Sequence, residues 1–153
     1  MTQCSDPAVL PLPATPETTG GGCSCTEIAN FGFSTLFLSE LFSGVASIST
    51  TEYSLTNNST TIATQNTEGR YQLFLDVANL QSGDVYNVFL RERVTAGGTQ
   101  RQQLLAVLTG PTPPLWIQPV DMQLMHGWDF TMQRTAGADR AISWSIRRLG
   151  EAT

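Results

Sequence analysis

The sequence contains no lysine. All eight basic residues are arginine, set against 13 acids in a chain of 153 residues, for a net charge of −5. The shortage of positive charge is sharpest at the start: residues 1–69 hold six acids and no base, while residues 70–153 hold eight Arg and seven acids. That balance argues against binding a phosphate backbone, which needs clustered cations, so no nucleic-acid partner is expected. Apolar runs never approach the roughly 18 residues of a membrane span, and no membrane partner is expected either. The first residues lack the basic and apolar segments of a secretory leader, so the expectation is synthesis in a reducing cytoplasm. Histidine occurs once, at His126, with no cysteine and no G-x-S-x-G turn beside it. A Ser-His-Asp or Cys-His mechanism would have to be built around that residue alone. There is no D-x-D-x-D-G calcium loop and no G-x-x-x-x-G-K-[ST] phosphate loop. No cofactor is expected, and an enzyme is the least favoured class. The acids Asp76, Asp84, Asp121, Asp129 and Asp139 are scattered singly. Asp129 alternates with Thr131 and Gln133 and reads as part of a solvated face.

What the first third does contain is all three cysteines, Cys4, Cys23 and Cys25, together with Pro7, Pro11, Pro13 and Pro16 and the joint Gly20-Gly21-Gly22. Prolines lack a donor and fix φ, so residues 1–26 read as an extended arm. Three thiols cannot all pair internally. Cys23 and Cys25 are separated by a single residue, and a bond between them is expected to be strained. Zinc would need His126 as a distant fourth ligand, so no metal site is expected. Free thiols and disulfides to neighbouring subunits both stay open. The stretch from Ile28 to Val45 is strongly apolar. The spacing of Phe33, Leu36, Phe37 and Leu41 predicts a short helix, with Ser34 as N-cap and Gly44 as stop; a strand is the alternative. Phe31, Phe33, Leu36, Phe37, Leu41 and Phe42 pack either on their own domain or on a neighbouring subunit.

From about Thr50 the chain alternates apolar and polar residues, with a turn signal every eight to twelve residues. Strands are predicted over 47–55, 60–64, 70–77, 84–94 and 99–109, followed by a shorter pair over 115–124 broken at Pro119. Turns fall at Thr56-Asn57-Asn58-Ser59, Gln81-Ser82-Gly83 and Ala96-Gly97-Gly98. In the final hairpin Trp128, Phe130 and Met132 face Ile142, Trp144 and Ile146 across two strands. Seven to nine strands and no helix after Val45 predict an all-β fold: an antiparallel β-sandwich, immunoglobulin-like or jelly-roll-like. The arm is assigned to residues 1–46 and the sandwich to residues 47–150. The segment Leu80 to Tyr86 resembles the corner before an immunoglobulin F strand, where a Tyr hydroxyl bonds back to the loop.

Five runs carry a wider resemblance: Glu52 to Thr64, Gly69 to Asp76, Gly97 to Arg101, Gly127 to Asp129 and Gly137 to Arg147. Together they resemble small structural proteins of tailed-phage head operons, over about Glu52 to Arg148. What the resemblance implies is a capsid decoration, or cement, protein: a β-domain on the outer surface of a virion shell. Its implied partners are the major capsid protein and copies of itself, as a trimer or dimer. Cys4, Cys23 and Cys25 are then candidates for intersubunit disulfides on physical grounds alone, since they lie outside the resembling runs. Two alternatives stand beside this reading. One is a neck, tail or baseplate component. The other is a carbohydrate-binding adhesin module stacking sugars on Trp116, Trp128 and Tyr71, of which the alternation leaves only Trp116 exposed.

Overall fold

Alternation of apolar and polar residues becomes nine strands in the computed structural model, which describes residues 36–151. They are β1 (Leu36–Ile48), β2 (Tyr53–Ser54), β3 (Gly69–Asp76), β4 (Val85–Glu92), β5 (Arg101–Thr109), β6 (Leu115–Ile117), β7 (Met122–Leu124), β8 (Asp129–Ala136) and β9 (Arg140–Glu151). No helix occurs among the described residues. Two sheets form, both wholly antiparallel. One has the order β1-β9-β3-β6, with β7 sharing the β3 edge beside β6, and the other has the order β2-β8-β4-β5.

Listed by partner, the pairs are nested: β1 with β9, β2 with β8, β3 with β6 and β7, β4 with β5. The chain is therefore one long hairpin, with its tip at residues 93–100, rolled so that successive pairs fall in alternate sheets. This is the connectivity of a jelly roll, which settles the choice left open by the sequence. The sheets enclose one core. Its widest members are Trp128, Tyr71, Tyr86 and Phe130, with Ile48, Leu73, Leu75, Ile142 and Ile146 between them. Trp128 is at the centre, with ring centroids 4.4 Å from Tyr71, 6.0 Å from Phe130 and 6.1 Å from Phe42. The indole and phenol groups keep their hydrogen bonds when buried: Trp128 Nε1 and Tyr71 Oη both donate to Thr67 O at 2.9 Å.

Several sequence expectations are corrected, the final hairpin among them: β8 and β9 lie in different sheets and do not pair with each other. The helix predicted through Phe33, Leu36, Phe37 and Leu41 gives way to a strand from Leu36, with Gly44 in its interior rather than at a stop. The sandwich thus begins at Leu36, and residues 36–46, read as arm, belong to the sheet. Residues 60–64 form no strand; they belong to a loop held across β8 by bonds to Asp129 and by the pairing of Gln65 with Trp128. Asp129 is buried, not solvated, because that loop covers its face of β8. The Tyr86 hydroxyl does not return to its own corner; it donates to Ala138 O at 2.6 Å, in the turn between β8 and β9.

Candidate functional site

β1 ends its sheet: it runs thirteen residues and, among the described residues, pairs with β9 on one side only. Even-numbered residues from Phe42 onward turn inward: Phe42 and Ala46 pack on the core and Ile48 is fully buried. Gly44 is forced, because a Cβ there would stand 2.5 Å from Cζ2 of Trp144, its cross-strand partner. The register slips between Glu40 and Phe42, making Leu41 an extra residue against β9. Such a bulge bends an edge strand and re-aims its side chains. Leu38, Leu41 and Val45 remain on the outside, exposed to 56%, 43% and 65%.

Around these apolar positions the outer face of the sheet is flat and built of small residues. Val45 lies beside Ser43 and Ser47 on its own strand and opposite Ser143 of β9. Glu40 accepts a hydrogen bond from the Ser145 hydroxyl, and this, with a second from Ser43, holds its carboxyl below the usual range. Arg147 lies over the Phe74 ring, 3.9 Å from its centroid. That placement sets the guanidinium against an aromatic face.

The outer face of the other sheet is knitted by Glu52. Its carboxylate takes a two-point grip from Arg91 at 2.6 and 2.5 Å, and bonds from Thr131 and from Gln102 at 3.0 Å. Burial pushes this carboxyl up, but the Arg91 and Thr131 bonds outweigh it and hold it below its ordinary value. One side chain beside the short strand β2 thereby ties β8, β4 and β5 together.

Of the residues singled out in the sequence, Leu41 is exposed on β1, whereas Phe42 is partly buried and packs on the core against Trp128. Leu36 and Phe37 are placed by backbone pairing with Glu151 and Gly150. Cys4, Cys23, Cys25, Phe31 and Phe33 lie outside the described residues. Leu38 and Val45 were not singled out; a count at period two through Val45 reaches Leu41 but not Leu38, whose outward placement depends on the bulge at Leu41. Trp128 and Tyr71 are buried, so of the proposed sugar platform only Trp116 has exposed surface. His126 serves the chain through its carbonyl, which accepts Arg93 N–H at 2.9 Å. Among the described residues no three His, Cys, Asp or Glu side chains gather as a metal set. No known protein family matches this chain, and a search of curated proteins returns no significant relative.

Proposed function

We propose that this protein is a virion structural component that binds the outer surface of a phage capsid and stabilises the expanded shell. The observation that supports the reading is the edge of β1: thirteen residues long, unpaired on one side among the described residues, with Leu38, Leu41 and Val45 turned outward. Long edges with apolar outward residues invite pairing, and monomeric proteins blunt them with charge, proline or a cover. Here Glu40 is the one charged residue within β1, and it is engaged by Ser145. An edge of this kind suits a protein whose working state is an assembly. Its partners are the major capsid protein and further copies of itself, and Cys4, Cys23 and Cys25 are candidates for disulfides that make the contact permanent.

The energetics suit a cement. A subunit that binds the expanded shell and not its precursor stabilises the expanded state by mass action. The sandwich is already ordered, so little conformational entropy is lost on docking. Repetition over a symmetric lattice multiplies weak contacts into avidity. The jelly roll itself is used in viral shells and in lectins alike, an analogy that suggests a setting without assigning a role.

Quantitative mass spectrometry of the purified particle, digested with and without reductant, tests this. A copy number comparable to the major shell protein is expected, and a handful of copies would move the protein to the neck or tail. Absence from the particle would end the virion reading. Deletion of the arm must stop at residue 35, since a longer cut removes β1. The paired substitution Leu38→Lys and Val45→Lys should abolish particle binding while leaving the fold intact. Undiminished binding would remove β1 from the interface.

A further inference from the structure

At the edge of the sandwich opposite β1, the two sheets part. β5 ends one sheet and β6 with β7 ends the other, and between them opens a cleft of about 440 Å3. That volume lies within the roughly 300–1,000 Å3 typical of small-molecule sites. Leu90, Leu105 and Leu124 give it apolar lining, and Glu92, Gln103, Gln118 and Asp121 give it polar positions. Trp116, paired with Leu75 on the core side of β6, also lines it and is the one half-exposed tryptophan of three.

Gln118 points most directly to a ligand. Only 4% of it is exposed, and three of its four polar groups are satisfied. Its N–H donates to Leu73 O at 2.9 Å, its carbonyl accepts Gln72 Nε2 at 3.0 Å, and its Nε2 donates to Val120 O at 2.7 Å. The side-chain Oε1 accepts nothing. A buried acceptor without a donor destabilises the fold that holds it, and native structures rarely leave one without a reason.

Charge narrows the class of ligand. No basic side chain lines the cleft, so an anion would enter against Glu92 and Asp121 with nothing to pair with it. A cation would find one carboxylate without an ion pair, Glu92 at the rim, since Asp121 is held by Arg70 at 2.5 Å, and a single rim charge is a weak anchor. A wholly apolar ligand would seal Gln118 Oε1 further from any donor. What remains is an uncharged molecule with one apolar face and several hydroxyl groups.

We propose that the cleft binds a neutral sugar of one or two rings. The C–H face of the sugar lies on Trp116, and a hydroxyl donates to Gln118 Oε1 once that side chain, closed off from solvent in the empty cleft, turns toward it. Slightly positive C–H groups suit the negative face of an indole. The side-chain amide of Gln103 and the carboxylate of Glu92 take further hydroxyls at the rim. This site is on the other edge from β1, so it is independent of how the protein attaches to a shell.

Tryptophan fluorescence and calorimetry of the full chain, titrated with maltose, cellobiose, lactose and chitobiose and with glucuronate as a charged control, test the proposal. A saturable response to at least one neutral disaccharide and none to glucuronate is expected. Gln118→Leu should keep or raise the thermal midpoint and weaken that sugar by about tenfold or more. If Gln118→Leu fails to fold, Trp116→Ala, read by calorimetry, should show the same loss. No response on these four sugars or on a broad array of neutral glycans would overturn the proposal. So would equal binding of glucuronate, or sugar binding that both substitutions leave unchanged. Each of these outcomes is read on the isolated protein and leaves the shell-binding reading where it stands.

Discussion

Asp84 and Asp129 are both buried carboxylates, and their surroundings bias them in opposite directions. Arg140 Nε at 2.7 Å, followed by the N–H groups of Ala138 and Gln81, holds Asp84 down at about 2. A depressed folded value means the stabilisation is complete above the unfolded value of about 4 and is lost as pH falls from there to about 2. Asp84→Asn should therefore lower the thermal midpoint by several degrees at pH 7, with the gap to the parent closing between pH 4 and 2. A gap that stays constant down to pH 2 would show that the charge of Asp84 is not what matters. For Asp129, burial drives the carboxyl upward, against bonds from Ser54, Thr56 and Ala63 that pull it back. A raised folded value favours the protonated form, so its contribution is present below the unfolded value and fades as pH rises through the folded one. Its bonds to Thr56 Oγ1 at 2.8 Å and Ala63 N at 2.9 Å still pin the 55–65 loop. Asp129→Ala should cost about 2–4 kcal/mol in urea unfolding, with hydrogen exchange rising first at residues 56–63. Alternation along β8 could not reveal this burial: it assigns a residue to one of two faces and is silent about what lies over the second. Gln118 was illegible for a related reason, since a missing hydrogen bond is a property of the surroundings.

β1 illustrates how far an element can be read from its own residues. Between Phe31 and Phe42 apolar side chains are so dense that periods of 3.6 and of two both find matches. The strand wins because Phe42, Gly44, Ala46 and Ile48 meet Ile146, Trp144, Ile142 and Arg140 of a strand about 100 residues away. No local rule contains that partner. Gly44, read as a helix stop, is instead the space that the Trp144 ring fills. Gly44→Ala should cost about 1–3 kcal/mol through overpacking. Trp144→Phe in the same chain should recover part of that cost, and strict additivity of the two would disprove the contact. The inward faces of β8 and β9, by contrast, were legible almost residue by residue, because their large apolar side chains alternate without interruption. The pairing of the two strands as a hairpin was not: they lie in opposite sheets and face each other across the core.

At the scale of the molecule, two packed antiparallel sheets followed from the alternation and the turns, whereas the nesting of the pairs did not. Pairing β1 with β9 and β2 with β8 is a choice made between residues far apart in sequence. Folds ruled by such pairings form slowly, in milliseconds to seconds, since each long loop must close before its contacts form. The nested order predicts that β4 and β5 gain amide protection first and β1 with β9 last in pulse-labelled refolding. Early protection of β1 would contradict it. The legible half of this protein is its layers, and the illegible half is its wiring.

The register that sets Leu36 opposite Glu151 also fixes how the domain bears load. The chain enters the sandwich and leaves it at one corner, on neighbouring strands that run in opposite directions. A pull applied between those two ends opens the β1–β9 ladder one rung at a time, as a zipper opens, and meets little resistance at any instant. The domain is therefore weak as a link between two attachments at its corner.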